Sequence, residues 1–525
     1  MPVQKISKGL LAAMLLLILG LFVANAFSVA GAAIAVLLLL GLVALWQGIP
    51  RLPVKTVKIA AAVLLVLYAI LLLAAGFLLA VEPAWDFGRV YAGALDIAEN
   101  GAVTYTLEYF LESNNNFFVT YLLAYWFKIA SVFGLAPLYA GILLNCVAIW
   151  VSVAVLFWVV CKEWDLHHGL LFLVFCLGFL PLYTYAPIFY TDTLSLPFVS
   201  IGVWLWQKIR EKSNLGWLLL LGVNGFVGYQ LKASVGILYV AMLLFSLARP
   251  TRAKCLRLLI VALTMVLLAV GYSGLLKATK VIDLTEIDRY RLPYEHYVMM
   301  GLAGTGGYNS SDHELSTSIE DLQTRKETNV AEIKARLADY GVGGYLAFLA
   351  GKIEYTWLDG TYYAPWKLSI DPLQTNDLSA FFRIDGQHYN VYNTLAQGGQ
   401  IAMLLLMLFA ALWYTAQSLP SFVASLLQKK KTQAAAISTA ATSEQATVMP
   451  HKLRFGVVTS GEALIGLLAL SVFGLFFFLL IWETRSRYLV NFTPVFLLLA
   501  QNGLAQIRLP RRQVAPQAQK QSEPV

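Results

Sequence analysis

Charge is scarce in this sequence. Asp, Glu, Lys and Arg make up 13% of its 525 residues, against about 25% in ordinary soluble proteins. That shortage excludes a conventional water-soluble domain. Alternation of apolar and polar residues in segments of about 10 is also missing, which excludes a spanning β-barrel. Only four cysteines occur, Cys146, Cys161, Cys176 and Cys255, all in or beside apolar runs. They have neither metal-ligand spacing nor the pattern of a disulfide framework. No internal repeat of the inverted-repeat transporter kind is present, and no pore-lining filter segment stands out. The net charge of +8 does not point to nucleic acid, because the basic residues sit in short connectors, as the positive-inside bias of membrane proteins requires.

What is present is apolar, at 59% hydrophobic residues. It comes in blocks near the roughly 20 residues that cross a bilayer. Spans are expected at about 9–26, 28–46, 58–81, 137–160, 168–183, 188–208, 213–229, 233–248, 256–275, 398–418, 458–481 and 488–506. The first block resembles a signal peptide, but a second span follows almost at once, so a retained anchor is expected. The run 117–134 is a thirteenth candidate, crossing the membrane or lying against it. Connectors carrying Arg51 and Lys55, Lys208, Arg210 and Lys212, and Arg249, Arg252 and Lys254 fall on one side only if it does not cross fully. The same side then holds Lys429, Lys430 and Lys431 and the tail with Arg508, Arg511 and Arg512. The expectation is an all-α polytopic protein of about twelve spans with both termini in the cytoplasm.

This topology leaves three outer regions: 82–136, 276–397 and the short break IWETRSRYL. Segment 432–450 reads as a flexible linker with little apolar surface to bury. Within 276–397, the stretch MMGLAGTGGYNSSDHE reads as a mobile loop. STSIEDLQTRKETNVAEIKARLADYG reads as a helix with a serine or threonine cap and a stop at Gly341. The aromatic stretch after it reads as lying on the membrane surface.

Polar groups near apolar runs are costly and draw attention. Asp86 lies just beyond a span, where it is a base, a metal ligand or the cap of the following helix. Asp192 lies about four residues into an apolar run, expected on the same face as Asp86. The two aspartates could share a divalent ion or divide base and metal duties. Lys232 sits in a very short outer turn, either snorkelling as an anchor or binding a phosphate. Glu483, Arg485 and Arg487 interrupt the last two spans. Arginine holds phosphate oxygens bidentately, and Glu483 either orients one arginine or acts as a ligand itself; a structural charge network is the alternative. Asn114, Asn115 and Asn116 read as a helix cap or a sugar contact. His313 and Glu314 read as solvated loop residues or substrate contacts.

The order of these pieces, EPAWDFGRVY, SNNNFFVTYLLAYWF, YAPIFYTDTLSLPF, GYQLKASVG, GGYN and WETRSRYLVNFTPVF, resembles the GT-C superfamily of integral-membrane glycosyltransferases. The likeness extends over most of residues 58–506 and takes in the bacterial enzymes that use polyprenyl-phosphate sugars. It implies a GT-C-like fold with residues 1–275 as an N-terminal transmembrane module and a catalytic first outer loop, 82–136. A late extracytoplasmic segment, 276–397, then precedes C-terminal helices in 398–506, with a cytoplasmic linker at 419–457 and a tail at 507–525. By that resemblance Asp86 is the catalytic base, and Lys232, Arg485 and Arg487 hold the donor phosphate. Asp192 and Glu483 play supporting or metal-binding parts, and Asn114, His313 and Glu314 touch substrate. Asp86 is followed by Phe87 where many relatives show a paired acid, so a magnesium or manganese ion remains only an option. The implied activity is inverting transfer of a sugar from a polyprenyl-phosphate donor to a cell-envelope glycan or glycolipid at the outer face of the bacterial cytoplasmic membrane. The rival readings are a transporter or flippase of lipid-linked glycans and a non-catalytic membrane scaffold. A transporter favours polar groups near mid-membrane, whereas these charges gather near one face.

Overall fold

A computed structural model of the chain describes residue 20 and residues 29–248, 250–413 and 460–507. The expected first span, the linker at 419–457, the basic residues Arg249, Lys429, Lys430 and Lys431, and almost all of the tail lie outside the described residues. The described chain is helical throughout. Its longer helices are α1 (Val29–Gly48), α2 (Val54–Leu78), α3 (Trp85–Asn100), α4 (Phe117–Val132), α5 (Pro137–Glu163), α6 (Leu166–Leu177), α7 (Leu196–Glu211), α8 (Leu215–Leu231), α9 (Gly236–Leu247), α10 (Arg252–Thr279), α11 (Leu322–Trp357), α12 (Tyr389–Trp413), α13 (Ser460–Ile481) and α14 (Thr493–Gln506). Among the described residues there is no sheet. A single antiparallel bridge joins Val81 to Pro372.

The expected twelve spans of a GT-C-like fold are not found among the described residues. Seven helices among the described residues are long and apolar enough to cross a membrane. They are α1, α2, α5, α10, α12, α13 and the stretch Ser486–Gln506 that contains α14. The protein is an all-α, multi-pass membrane protein. The expected count was too high because apolar composition runs on where the helix does not. The run 168–183 stops being one helix at Leu177, and Pro181 starts a separate short turn. The run 188–208 is broken around Asp192, so α7 begins only at Leu196, with Pro197 in its first turn. The run 233–248 opens with a 3-10 turn and leaves α9 only 12 residues. The thirteenth candidate, α4, has 16 residues, about 24 Å of helix against a hydrocarbon core of about 30 Å.

α14 is the most enclosed helix and α10 the most peripheral, with no buried residue. α10 turns Leu256, Leu259, Leu263, Val266, Leu267 and Val270 outward. Such a face is costly in water and ordinary in lipid. α3 is amphipathic and ends on Gly101, whose φ of +83° closes the helix in the left-handed region. Asp96 then accepts from Asn100 Nδ2 and Thr104 Oγ1, both at 2.8 Å, and turns the chain back. α11 starts on Asp321, whose carboxylate accepts from Thr324 N at 2.7 Å, rather than on a serine or threonine. Gly341, at φ +56°, interrupts it, and helix resumes as far as Trp357.

Several helices point one end at the same place. α2, α8 and α13 deliver their C-termini there, and α7 and α14 start from it. The segment 359–373 lies over this junction. Glu82 N donates to Asp371 O at 2.9 Å, Leu373 N to Ala80 O at 3.1 Å, and Tyr185 Oη to Tyr362 O at 2.7 Å.

Candidate functional site

Asp86 is the second residue of α3, after Trp85, whose φ of +44° turns the chain sharply into the helix. The capping alternative does not describe it. The N-cap position is Ala84, with no side-chain cap bond. The carboxylate sits instead in the first turn, where the helix dipole favours negative charge, and it is 41% exposed. The Tyr109 hydroxyl faces it.

Asp192, in the short helix Thr191–Leu194, is the buried counterpart. One carboxylate oxygen pairs with Lys232 Nζ, and the other lies 3.5 Å from Lys367 Nζ. Burial alone would raise this carboxyl. Lys232 first, then Lys367 and Arg487, outweigh it and hold the group well below the usual carboxylate range. Lys367, in the helix Ala364–Leu368, is itself pushed down to about 7 by burial, against the pull of Asp192. Its ammonium lies 5.5 Å from the Trp85 ring and 5.2 Å from the Tyr185 ring. The idea that Asp86 and Asp192 share a divalent cation does not fit these residues. Both Asp192 oxygens already face ammonium groups, and Arg487 adds a third cation to its field. Among the described residues no three His, Cys, Asp or Glu side chains group as a metal site.

The ETRSR stretch is fastened residue by residue. Glu483 N donates to Tyr297 O at 3.0 Å and Thr484 N to Gly306 O at 2.8 Å. Ser486 Oγ donates to Asp359 Oδ2 at 2.6 Å. Arg485 lays its guanidinium 3.4 Å from the Tyr363 ring centroid and 5.0 Å from that of Tyr355. Arg487 points the other way. Its Nη2 is 3.9 Å from Asp86 Oδ2 and donates at 3.4 Å to Tyr488 Oη. Tyr488 Oη in turn donates to Glu483 Oε1 at 3.0 Å. Glu483 is thus tied to an arginine through a tyrosine, and burial raises its carboxyl despite Arg487. Lys232 stands 5.1 Å from the Tyr488 ring. The structure therefore brings Asp86, Asp192, Lys232, Glu483 and Arg487 to one junction, and sets Arg485 against aromatic rings beside it.

Other candidates lie further out. Asn114 is exposed in a 3-10 turn. Asn116 precedes α4 without a side-chain cap bond. It donates to Tyr109 Oη at 2.6 Å and accepts from Tyr190 Oη at 3.1 Å. His313 Nε2 lies 3.5 Å from Glu112 Oε2, and Glu314 is exposed. Of the stretch 299–314, expected to be a mobile loop, residues 310–314 belong to the helix Ser310–Thr317, and 301–309 is fastened at Gly306 by Thr484 and at Gly301, whose carbonyl accepts from Lys352 Nζ at 2.5 Å.

Reading the sequence missed Lys367, Tyr363 and Asp359. The signal was a lysine, Lys367, directly after the aromatic stretch 341–366 that reads as a membrane-surface element. DGTYY hides a second device. Asp359 accepts from Thr361 N and Tyr363 N, both at 2.9 Å, and holds Tyr363 at φ +64° beneath Arg485.

No curated protein and no solved structure matches the chain. A family model does, over residues 23–426, a match that ends before the ETRSR stretch. The chain belongs to the family described as a conserved hypothetical integral membrane protein.

Proposed function

We propose that this protein is a membrane glycosyltransferase that takes a sugar from a polyprenyl-phosphate donor, as the GT-C enzymes it resembles in sequence do. Its acceptor is a cell-envelope glycan or lipid-linked glycan at the outer face of a bacterial cytoplasmic membrane. One observation carries the reading. The part-exposed Asp86 carboxylate faces Arg487 across 3.9 Å, beyond the 2.7–3.2 Å typical of an N–H···O bond. A base and a cation stand side by side without consuming each other.

The chemistry assigns each group a task. The acceptor hydroxyl gives its proton to Asp86 as its oxygen bonds the anomeric carbon. The bond from that carbon to the donor phosphate oxygen breaks, and the electron pair leaves on the phosphate. Arg487 and Lys232, both largely buried, stabilise that charge. A single displacement inverts the anomeric centre. Asp192 takes no proton in this scheme, because three cations keep it ionised. The lipid tail of the donor stays among the spans while its headgroup sits at their ends.

Purified protein in liposomes, offered a panel of polyprenyl-phosphate sugars and glycan acceptors, tests this. Release of polyprenyl phosphate with sugar appearing on the acceptor is expected. Folded protein that turns over no member of the panel, but moves a lipid-linked glycan across the bilayer, would establish the flippase reading instead.

A further inference from the structure

Asp192 sits between two lysines that are not equivalent. Lys232 is 13% exposed at its side chain, and Lys367 only 1%. Lys232 lies 5.1 Å from the Tyr488 ring, whereas Lys367 is walled in by Trp85 and Tyr185. A ligand at the junction reaches Lys232 and not Lys367. Yet Lys232 is bound to a carboxylate that is itself only 1% exposed. Pulling Lys232 away would strand a buried anion, and an uncompensated buried charge is strongly unfavourable. Lys367 removes that obstacle, because one carboxylate between two ammonium groups leaves one positive charge in excess.

We propose that Lys367 is a positioning residue that keeps Asp192 paired so that Lys232 can turn to the donor phosphate. The inference rests on the reading of Lys232 as a phosphate ligand. It divides the cluster into a resident pair, Lys367 with Asp192, and a working cation, Lys232. Removing Lys367 alone leaves Asp192 to hold Lys232 fast. Removing Lys367 and the Asp192 charge together sets Lys232 free again.

A pH signature follows. The charged groups facing Lys367 are Asp192, Arg487 and Lys232, and the rings facing it are Trp85 and Tyr185. Burial pushes Lys367 down to about 7, so it loses its proton as pH rises through that range and Lys232 is then held back. An arginine at this position stays charged throughout.

The test is binding of farnesyl monophosphate to the full-length protein in detergent, at pH 6.5 and pH 8.5. Lys367→Met is expected to weaken binding by about tenfold or more, equivalent to about 1.4 kcal/mol. Asp192→Asn with Lys367→Met is expected to return it to within about threefold of the wild type, a residual of well under 1.4 kcal/mol. Lys367→Arg is expected to bind equally at both pH values once the titration of the phosphate itself is subtracted, while the wild type weakens at pH 8.5. A merely structural lysine predicts a double variant no better than Lys367→Met, and that result overturns the inference. Should Lys367→Met fail to fold, the double variant and Lys367→Arg decide: a double variant that binds poorly, or a wild type as insensitive to pH as Lys367→Arg, overturns it. A wild type that does not bind farnesyl monophosphate overturns both the phosphate reading and this inference. A wild type that binds it while these variants stay level overturns the inference alone.

Discussion

Arg487 reaches Asp86 from the opposite end of the chain, with Nη2 3.9 Å from Oδ2. The two residues are 401 positions apart in the sequence and come from different helix ends, Asp86 from the start of α3 and Arg487 from the break between α13 and α14. Arg487 also lies in the field of Asp192, so it links the part-exposed carboxylate to the buried one. Loss of this arginine should be felt at the donor phosphate first. Arg487→Gln is expected to weaken polyprenyl-phosphate binding by about 30-fold or more, the factor given by about 2 kcal/mol for a truncated charge pair. Calorimetric titration checks this, and unchanged affinity would return Arg487 to a purely structural network.

Arg485 should behave differently from its neighbour. Its guanidinium lies over the rings of Tyr363 and Tyr355, an arrangement worth about 0.5–2 kcal/mol. Arg485→Ala is expected to lower thermal stability measurably and to leave phosphate affinity within about threefold, under 1.4 kcal/mol. A loss of affinity equal to that of Arg487→Gln would reinstate Arg485 as a direct phosphate ligand.

The two histidines near the 310–317 helix should titrate in opposite directions. Glu112, through its hydrogen bond, raises His313 above the ordinary histidine value. Its contribution to stability is full below the unfolded value near 6.5 and is lost as pH rises through the folded one. Burial pushes His296 down to about 4, and its ring nitrogen lies 2.7 Å from Ser316 Oγ. Its contribution is full above about 6.5 and is lost as pH falls toward about 4. Histidine titration by NMR should show Glu112→Gln lowering His313 while His296 remains neutral at pH 6. Both histidines titrating near 6.5 would contradict the arrangement.

Orientation is open to direct labelling. A cysteine at Tyr105, 87% exposed in the loop after α3, is expected to react with an impermeant thiol reagent on intact cells. A cysteine at Lys212, between α7 and α8, is expected to react only after permeabilisation. The reverse pattern would put Asp86 on the cytoplasmic side and remove the outer-face acceptor.

The sequence made some of this junction legible and hid the rest for physical reasons. Asp86, Asp192, Lys232 and Arg487 are conspicuous because each interrupts or borders an apolar run, where charge is expensive. Lys367 is as deeply buried as any of them, but its neighbours are tyrosines, tryptophan and proline, which read equally well as a membrane-surface element. Asn116 looked like a cap by position, yet its amide is taken by Tyr109 and Tyr190, partners that only the tertiary fold supplies. Among the described residues the span count failed where Pro181, the turn around Asp192 and the 3-10 turn Ala233–Val235 cut apolar runs into short helices, and where α8 stops at 17 residues. Helix identity was readable from composition, whereas helix length was not.

In the proposed transfer, Asp86 accepts the proton of the incoming hydroxyl. Sugar transfer by Asp86→Asn in proteoliposomes tests it most directly, measured beside farnesyl monophosphate binding by the same preparation. A loss of transfer of about 100-fold or more is expected, the lower end of what a general base contributes, with phosphate binding retained. Transfer at the wild-type rate by folded Asp86→Asn protein would contradict it.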